Sequence, residues 1–180
     1  KYTWEMIEMP TSLVGVNTWI PNQLVKESII RKKIRALKGY ERIRSEVRVG
    51  QNSRIDLLLE KGEKRCFVEV KNCTLVEAGL AKFPDAVTLR GQKHLEELMR
   101  LKDESHRAVI FYLIQRTDAE RFAPAARIDP AYAEKLILAE KRGVEILTRD
   151  VAFDLDAGVI RLNRPVPVDL GAYDILPFLH

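Results

Sequence analysis

Asp56, Glu69 and Lys71 are the residues whose types and spacing could do chemistry in this chain. They lie in two runs, Arg-Ile-Asp-Leu-Leu-Leu-Glu at 54–60 and Arg-Cys-Phe-Val-Glu-Val-Lys-Asn at 65–72, parted by Lys-Gly-Glu-Lys. Both runs are rich in β-branched and long apolar residues, and the gap carries glycine and charge, which predicts a β-hairpin. A turn centred on Gly62 and Glu63 sets Glu60 opposite Arg65, Asp56 opposite Glu69 and Arg54 opposite Lys71. Alternation with a period of two then puts Asp56, Glu69 and Lys71 on one face. Directly opposed carboxylates have Cβ atoms about 4.5–5.5 Å apart and repel. Such a pair requires a cation between the acids, or a proton on one of them. Completed by water, a backbone carbonyl and a phosphate oxygen, it makes the octahedral oxygen shell that Mg²⁺ prefers. Lys71 is then placed to hold a water or a phosphate as a point charge.

A plainer reading uses the same residues. Asp56, Glu69, Arg54 and Lys71 could form a cross-strand quartet of surface ion pairs, each worth under roughly 1 kcal/mol. A one-residue bulge would also shift the register and separate the acids. The expected faces favour a site: Ile55, Leu57 and Leu59 point one way, as do Cys66, Val68 and Val70, while the acidic face also carries Leu58 and Phe67. That face is expected to be partly buried.

The chain has 180 residues, 46% hydrophobic and 31% charged, which suits one globular domain. The longest apolar run, 108–114, is far too short to span a bilayer, so no membrane partner is expected. The first residues, Lys-Tyr-Thr-Trp, show neither a signal peptide nor an initiating Met and read as a processed or truncated end. Cys66 and Cys73 form no metal or disulfide motif, and a reducing cytoplasm is the expected location. The net charge is +4, but residues 26–54 hold ten Lys and Arg against Glu27, Glu41 and Glu46. A basic region of this kind, with Lys32, Lys33 and Arg54 in it, suits a phosphate backbone, although charge runs are usually solvated helix faces.

The elements that must position these residues follow in order. Residues 2–9 and 13–19 read as short strands. Asn22 caps a helix with an apolar stripe of Val25, Ile29, Ile30, Ile34 and Leu37, stopped by Gly39. Glu27, in its first turns, reads as a favourable surface charge. Residues 43–49 alternate as a half-buried strand ahead of the hairpin. An irregular connection at 77–86 leads to a helix over 88–102, with Leu95, Leu98 and Met99 inward and Arg90, Lys93 and Glu97 outward. Residues 108–115 and 144–148 read as buried strands around a helix that starts at Asp129-Pro130 and ends at Gly143, a βαβ unit. A last edge strand is expected at 158–163. The predicted class is α/β: a mixed central sheet, antiparallel meander plus βαβ unit, with helices on both faces.

The Asp…Glu-x-Lys arrangement and this element order resemble the PD-(D/E)xK nuclease superfamily. Further stretches narrow the likeness: Leu-Val-Gly-Val-Asn-Thr at 13–18 with Pro21-Asn22, Ser-Arg-Ile-Asp at 53–56, Phe-Val-Glu-Val-Lys-Asn at 67–72, Phe-Pro-Asp-Ala at 83–86, Arg-Gly-Gln-Lys-His-Leu at 90–95 and Gln115-Arg116. With these the chain resembles the SfsA family, the sugar fermentation stimulation proteins. The resemblance implies an N-terminal OB-fold domain and a C-terminal nuclease-like domain; the OB part has no counterpart here. Residues 1–21 would then be the joining strand region and 22–180 the nuclease-like domain. It also implies DNA as partner, a link to regulation of sugar metabolism, and a nuclease activity inferred from fold and motif. On that likeness Asp56 and Glu69 are metal ligands for Mg²⁺ or Mn²⁺, the Val70 carbonyl completes the shell, and Lys71 is the catalytic lysine. Glu27 is the acid contributed by the first helix, and Arg90, Gln92 and Lys93 are substrate-positioning side chains. His94 shares that stretch and reads equally as a substrate-positioning side chain or a structural helix-surface residue, and it is not assigned as a general base. A DNA-binding regulator that uses the same fold without cutting is the alternative.

Overall fold

The computed structural model describes residues 5–50 and 53–171. β1 (Met6–Met9) and β2 (Ser12–Gly15) form an antiparallel hairpin; the start of the first expected strand, residues 2–4, lies outside the described residues. The Gly15 N–H donates to the Gln115 carbonyl at 2.9 Å, and a Cβ at Gly15 would run into the Gln115 side chain, so this close approach requires glycine.

α1 (Ile20–Ile30) departs from expectation at both ends. Trp19, not Asn22, holds the cap position, and Asn22 lies inside the first turn with its amide directed at Asp56. The helix stops well before Gly39 because Lys32 adopts a left-handed φ of +56°, and the chain continues as a short 3-10 turn, Arg35–Leu37. Ile34 and Leu37 are buried nonetheless, whereas Ile30 is exposed.

β3 (Arg42–Val49), β4 (Ser53–Lys61) and β5 (Lys64–Cys73) form the predicted antiparallel meander. Glu60 faces Arg65, Leu58 faces Phe67 and Leu57 faces Val68, the register expected from a turn at Gly62, whose φ is +56°. The connection expected to be irregular instead makes β6 (Leu75–Glu77) and β7 (Leu80–Phe83), an antiparallel pair. Three- and four-residue strands show too little alternation for a periodic signal.

α2 (Leu89–Asp103) is capped by Thr88, whose hydroxyl accepts from the Gly91 N–H at 3.0 Å. β8 (Arg107–Ile114) is buried from Ala108 onward. β9 (Arg121–Pro124) runs parallel to β7 and completes a small three-stranded sheet. α3 (Pro130–Lys141), β10 (Glu145–Asp154) and β11 (Val159–Pro165) close the fold.

The main sheet has the order β11-β10-β8-β5-β4-β3. β5, β8 and β10 are parallel neighbours, and the other pairs are antiparallel. Leu57, Leu59, Cys66, Val68 and Val70 pack with Val25 and Ile29 of α1 on one face. Leu58, Phe67, Ile110 and Tyr112 pack with Leu95, Leu98 and Leu136 of α2 and α3 on the other. Among the described residues no helix is long and apolar enough to cross a membrane.

Asp129 ties the starts of α2 and α3 together. It is 2% exposed and accepts from the Tyr132 N–H at 2.9 Å, the Thr88 N–H at 2.9 Å and Gln92 Nε2 at 3.0 Å. Asp129→Ala removes a helix cap and strands further donors, for a combined loss of about 3 kcal/mol. In a chain of this size that lowers Tm by about 6–12 °C. A calorimetric melt displaced by less than about 2 °C would show that water replaces the carboxylate at little cost.

Candidate functional site

Asp56 sits where β3 and β4 change face together. Leu57, Leu59 and Ile43 belong to the core under α1, while Ile55, Val47 and Val49 belong to the core under α2. The ladder holds Ser45 opposite Leu57 and Val47 opposite Ile55. Between those pairs Asp56 lies across from Glu46, whose φ is +53°. The expectation that Ile55 shares a face with Leu57 and Leu59 is therefore corrected: a local irregularity reverses the alternation. Left-handed backbone at a non-glycine residue is uncommon and collects at functional sites.

The β4–β5 ladder ends at Leu57–Val68. Beyond it the Val70 N–H donates to Asp56 Oδ2 at 2.8 Å, and Asn22 Nδ2 donates to Oδ1 at 2.9 Å. Burial, and secondarily the charge of Glu69, raise the Asp56 carboxyl to about 6.

Glu69 is 2% exposed, on the face covered by α2. Burial alone would raise its pKa, but the hydrogen bond with His94 and the charge of Lys71 outweigh burial and hold it below the usual range. Lys71 Nζ donates to Glu69 Oε1 at 2.7 Å and lies 3.0 Å from His94 Nδ1, which itself makes a short contact with the same Oε1. Glu69 Oε2 is buried without a hydrogen-bond partner. Two neighbouring carboxyls are thus pushed in opposite directions, a pattern typical of sites that do proton or metal chemistry.

Asp56 and His94 open onto a cleft of about 840 Å³, lined further by Glu46, Arg48, Ser53 and Arg54 from the strands and by Leu89, Arg90 and Lys93 from α2. Four basic side chains on two walls around buried acids favour an anion that can share a cation.

Of the residues singled out from sequence, the fold sets Asp56, Arg54, Arg90 and Lys93 on the wall of this cleft, and it puts Glu69 and Lys71 in contact with His94, which also lines it. Glu27 is not brought there: it pairs with Arg31 and borders a separate groove with Lys33 and β11. Asn22, one turn earlier on α1, touches Asp56 instead. Lys32 is exposed past the end of α1, and Gln92 is spent on Asp129 rather than on the cleft. Arg48, Ser53 and Leu89 also line the cleft without having been singled out, and two further residues matter more to the site. His94 is 6% exposed rather than on the helix surface, and its spacing from Leu98 and Leu101 was the available signal. Glu46 reads as one more outward charge in an alternating strand, and nothing local marks its backbone.

The sheet order, the helices on both faces and the carboxylate–lysine–histidine cluster define a mixed α/β domain with a buried acidic site opening on a basic cleft. The family model described as "Sugar fermentation stimulation protein RE domain" matches residues 19–157, and the chain belongs to that family. It is 48% identical over 169 residues to the sugar fermentation stimulation protein homolog of Geotalea daltonii, covering 94% of this chain and 72% of that protein. Against the homolog of Pelobacter propionicus identity is 52% over 168 residues, with 93% and 72% covered. The structure of Pyrococcus furiosus SfsA in complex with Ca²⁺ superposes with a TM-score of 0.84 at 30% identity, covering 92% of this chain and 71% of that one.

Proposed function

We propose that the chain binds DNA in the cleft between α2 and the β3–β4 edge and hydrolyses phosphodiester bonds with Mg²⁺ or Mn²⁺ held by Asp56, Glu69 and the Val70 carbonyl. The observation that carries this reading is the buried, partnerless Oε2 of a Glu69 whose pKa is lowered, beside a second carboxylate. An unpaired carboxylate oxygen in the interior is costly, and a hard cation offsets that cost. The residues fit such an ion. Both acids offer oxygen, and the Val70 main chain already turns its N–H toward Asp56 where the ladder has ended. Among the described residues no three His, Cys, Asp or Glu groups form a ready-made cage. The remaining positions fall to water and phosphate oxygens, as Mg²⁺ favours. Ca²⁺, present in the Pyrococcus furiosus SfsA complex, shares the preference for oxygen ligands.

The chemistry such a cation supplies is acidification of a water and neutralisation of charge developing on the phosphate. The chain's own residues do the rest. Lys71 carries an ammonium beside Glu69, placed to orient the attacking water and stabilise its negative charge. Arg48, Arg54, Arg90 and Lys93 neutralise flanking phosphates and set the register of the strand. Incubation of plasmid and single-stranded DNA with Mn²⁺ tests the reading; cleavage that survives both Asp56→Ala and Lys71→Ala overturns it.

Phosphate contacts have a separate signature. Replacing Arg54, Arg90 and Lys93 together by Ala should make the plot of log affinity against log salt shallower by about 3. Replacing Lys32 and Lys33, which lie away from the cleft, should leave that slope unchanged. Equal slopes for the two variants in a fluorescence titration would put the DNA elsewhere.

A second reading, a DNA-binding regulator that does not cut, draws on one observation. Both Asp56 oxygens already accept hydrogen bonds, and Lys71 closes on Glu69. Calorimetry separates the two: a silent Mn²⁺ titration beside salt-sensitive DNA binding selects the regulator.

A further inference from the structure

The two oxygens of Glu69 are treated differently by their surroundings. Oε1 takes Lys71 Nζ at 2.7 Å and the short contact with His94 Nδ1, while Oε2, equally buried, takes nothing. The last torsion of a Glu side chain is broad and roughly two-fold, so its hydrogen-bond partners decide which way each oxygen faces. Lys71 belongs to the same strand and moves with Glu69. His94 is the contact that comes from another element.

We propose that His94 is a positioning residue for cation binding: it donates through Nδ1–H to Glu69 Oε1 and so presents Oε2, in one orientation, to a divalent ion shared with Asp56. The inference rests on the cation reading above and adds a residue to it. An Nδ1 lone pair aimed at an ionised carboxylate oxygen would repel it, so the contact assigns the proton to Nδ1. The 3.0 Å approach of Lys71 to the same nitrogen follows from two donors converging on one acceptor. His94 can act as a fixed point because α2 is itself fixed. Thr88 caps it, Leu95 and Leu98 are fully buried on its inner face, and Asp129 holds Thr88 and Gln92 at its start. Hydrogen bonds of this kind to a ligating group set its direction, and losing one typically weakens metal binding about 10–100-fold.

The experiment is calorimetric titration of Mn²⁺ into the full chain and three variants. His94→Asn keeps an N–H donor near the place of Nδ1, His94→Leu keeps bulk without a donor, and His94→Gln carries its amide out toward the place of Nε2. The expected result is Mn²⁺ affinity within about threefold of the parent for H94N and about 10–100-fold weaker for H94L and H94Q. Parent-like affinity in H94L, or an equal loss in H94N and H94Q, overturns the role of His94 and leaves the cation reading standing. If H94L does not fold, the contrast between H94N and H94Q, two polar variants differing in where the donor sits, decides the question. A parent chain that takes up no Mn²⁺ removes the cation reading, and this inference with it.

Discussion

Asp56→Asn is expected to abolish cleavage and, at the same time, to stabilise the metal-free protein. The folded chain holds this carboxyl at about 6, up from its ordinary 3.8, first because it is buried and second because Glu69 lies near. The folded state therefore binds the proton more tightly than the unfolded chain. Its stability contribution is full below about pH 4 and is lost as pH rises through about 6. Above that window the ionised acid costs the fold up to about 3 kcal/mol. An amide carries no charge to desolvate: its oxygen can accept from Val70, and a flipped Asn22 can take its N–H. At pH 8 the variant should melt up to about 6–12 °C above the parent, and below about pH 4 the gap should close. Mn²⁺ should raise the melting temperature of the parent far more than that of the variant, since only the parent has the ligand. Cleavage should fall about 10³-fold, the size of a lost contribution of several kcal/mol to the transition state. A variant that melts below the parent at pH 8 would show Asp56 to be held by its hydrogen bonds, with no vacancy for an ion.

Lys71→Ala should move binding and chemistry in opposite directions. The ammonium lies 2.7 Å from Glu69 Oε1, so it neutralises in part the charge that a cation would meet. Removing it should strengthen Mn²⁺ binding several-fold, while the cleavage rate drops about 10²–10³-fold through loss of a charge aimed at the reacting oxygens. The fold should survive, because His94 still engages Glu69 and burial of the neighbouring Val68 and Val70 is untouched. Cleavage kinetics and calorimetry on one preparation check both directions. Unchanged cleavage with tighter Mn²⁺ binding would reduce Lys71 to a structural partner of Glu69.

Asp129→Ala and Asp56→Asn together separate the site from its scaffold. Asp129→Ala loosens the starts of α2 and α3 and touches neither Asp56 nor Glu69, so it should lower stability and activity together. Asp56→Asn should show no such link, with activity lost as stability rises.

Much of the domain could be read along the chain because the signals are local. The hairpin register follows from Gly62 and from alternation on either side, and β4 and β5 pair as that rule requires from Leu57 to Lys61. The cap at Asp129-Pro130, the buried strand β8 and the crossover to β10 were legible for the same reason. The pair of acids and the lysine two residues on were visible in composition and spacing.

Tertiary contacts decided the rest. The first helix stops at the left-handed turn at Lys32, and the way its first turn docks on the sheet puts Asn22 rather than Glu27 against Asp56. The reversal of faces at Glu46 and Asp56 belongs to two strands together, so neither strand alone announces it. His94 becomes a partner of Glu69 only because α2 crosses β5 at that point, an event twenty-five residues away along the chain. A strand's period or a helix's cap lies within a few neighbours. The field at a buried carboxylate is set by whatever packing brings near it, and for that the order of residues is silent.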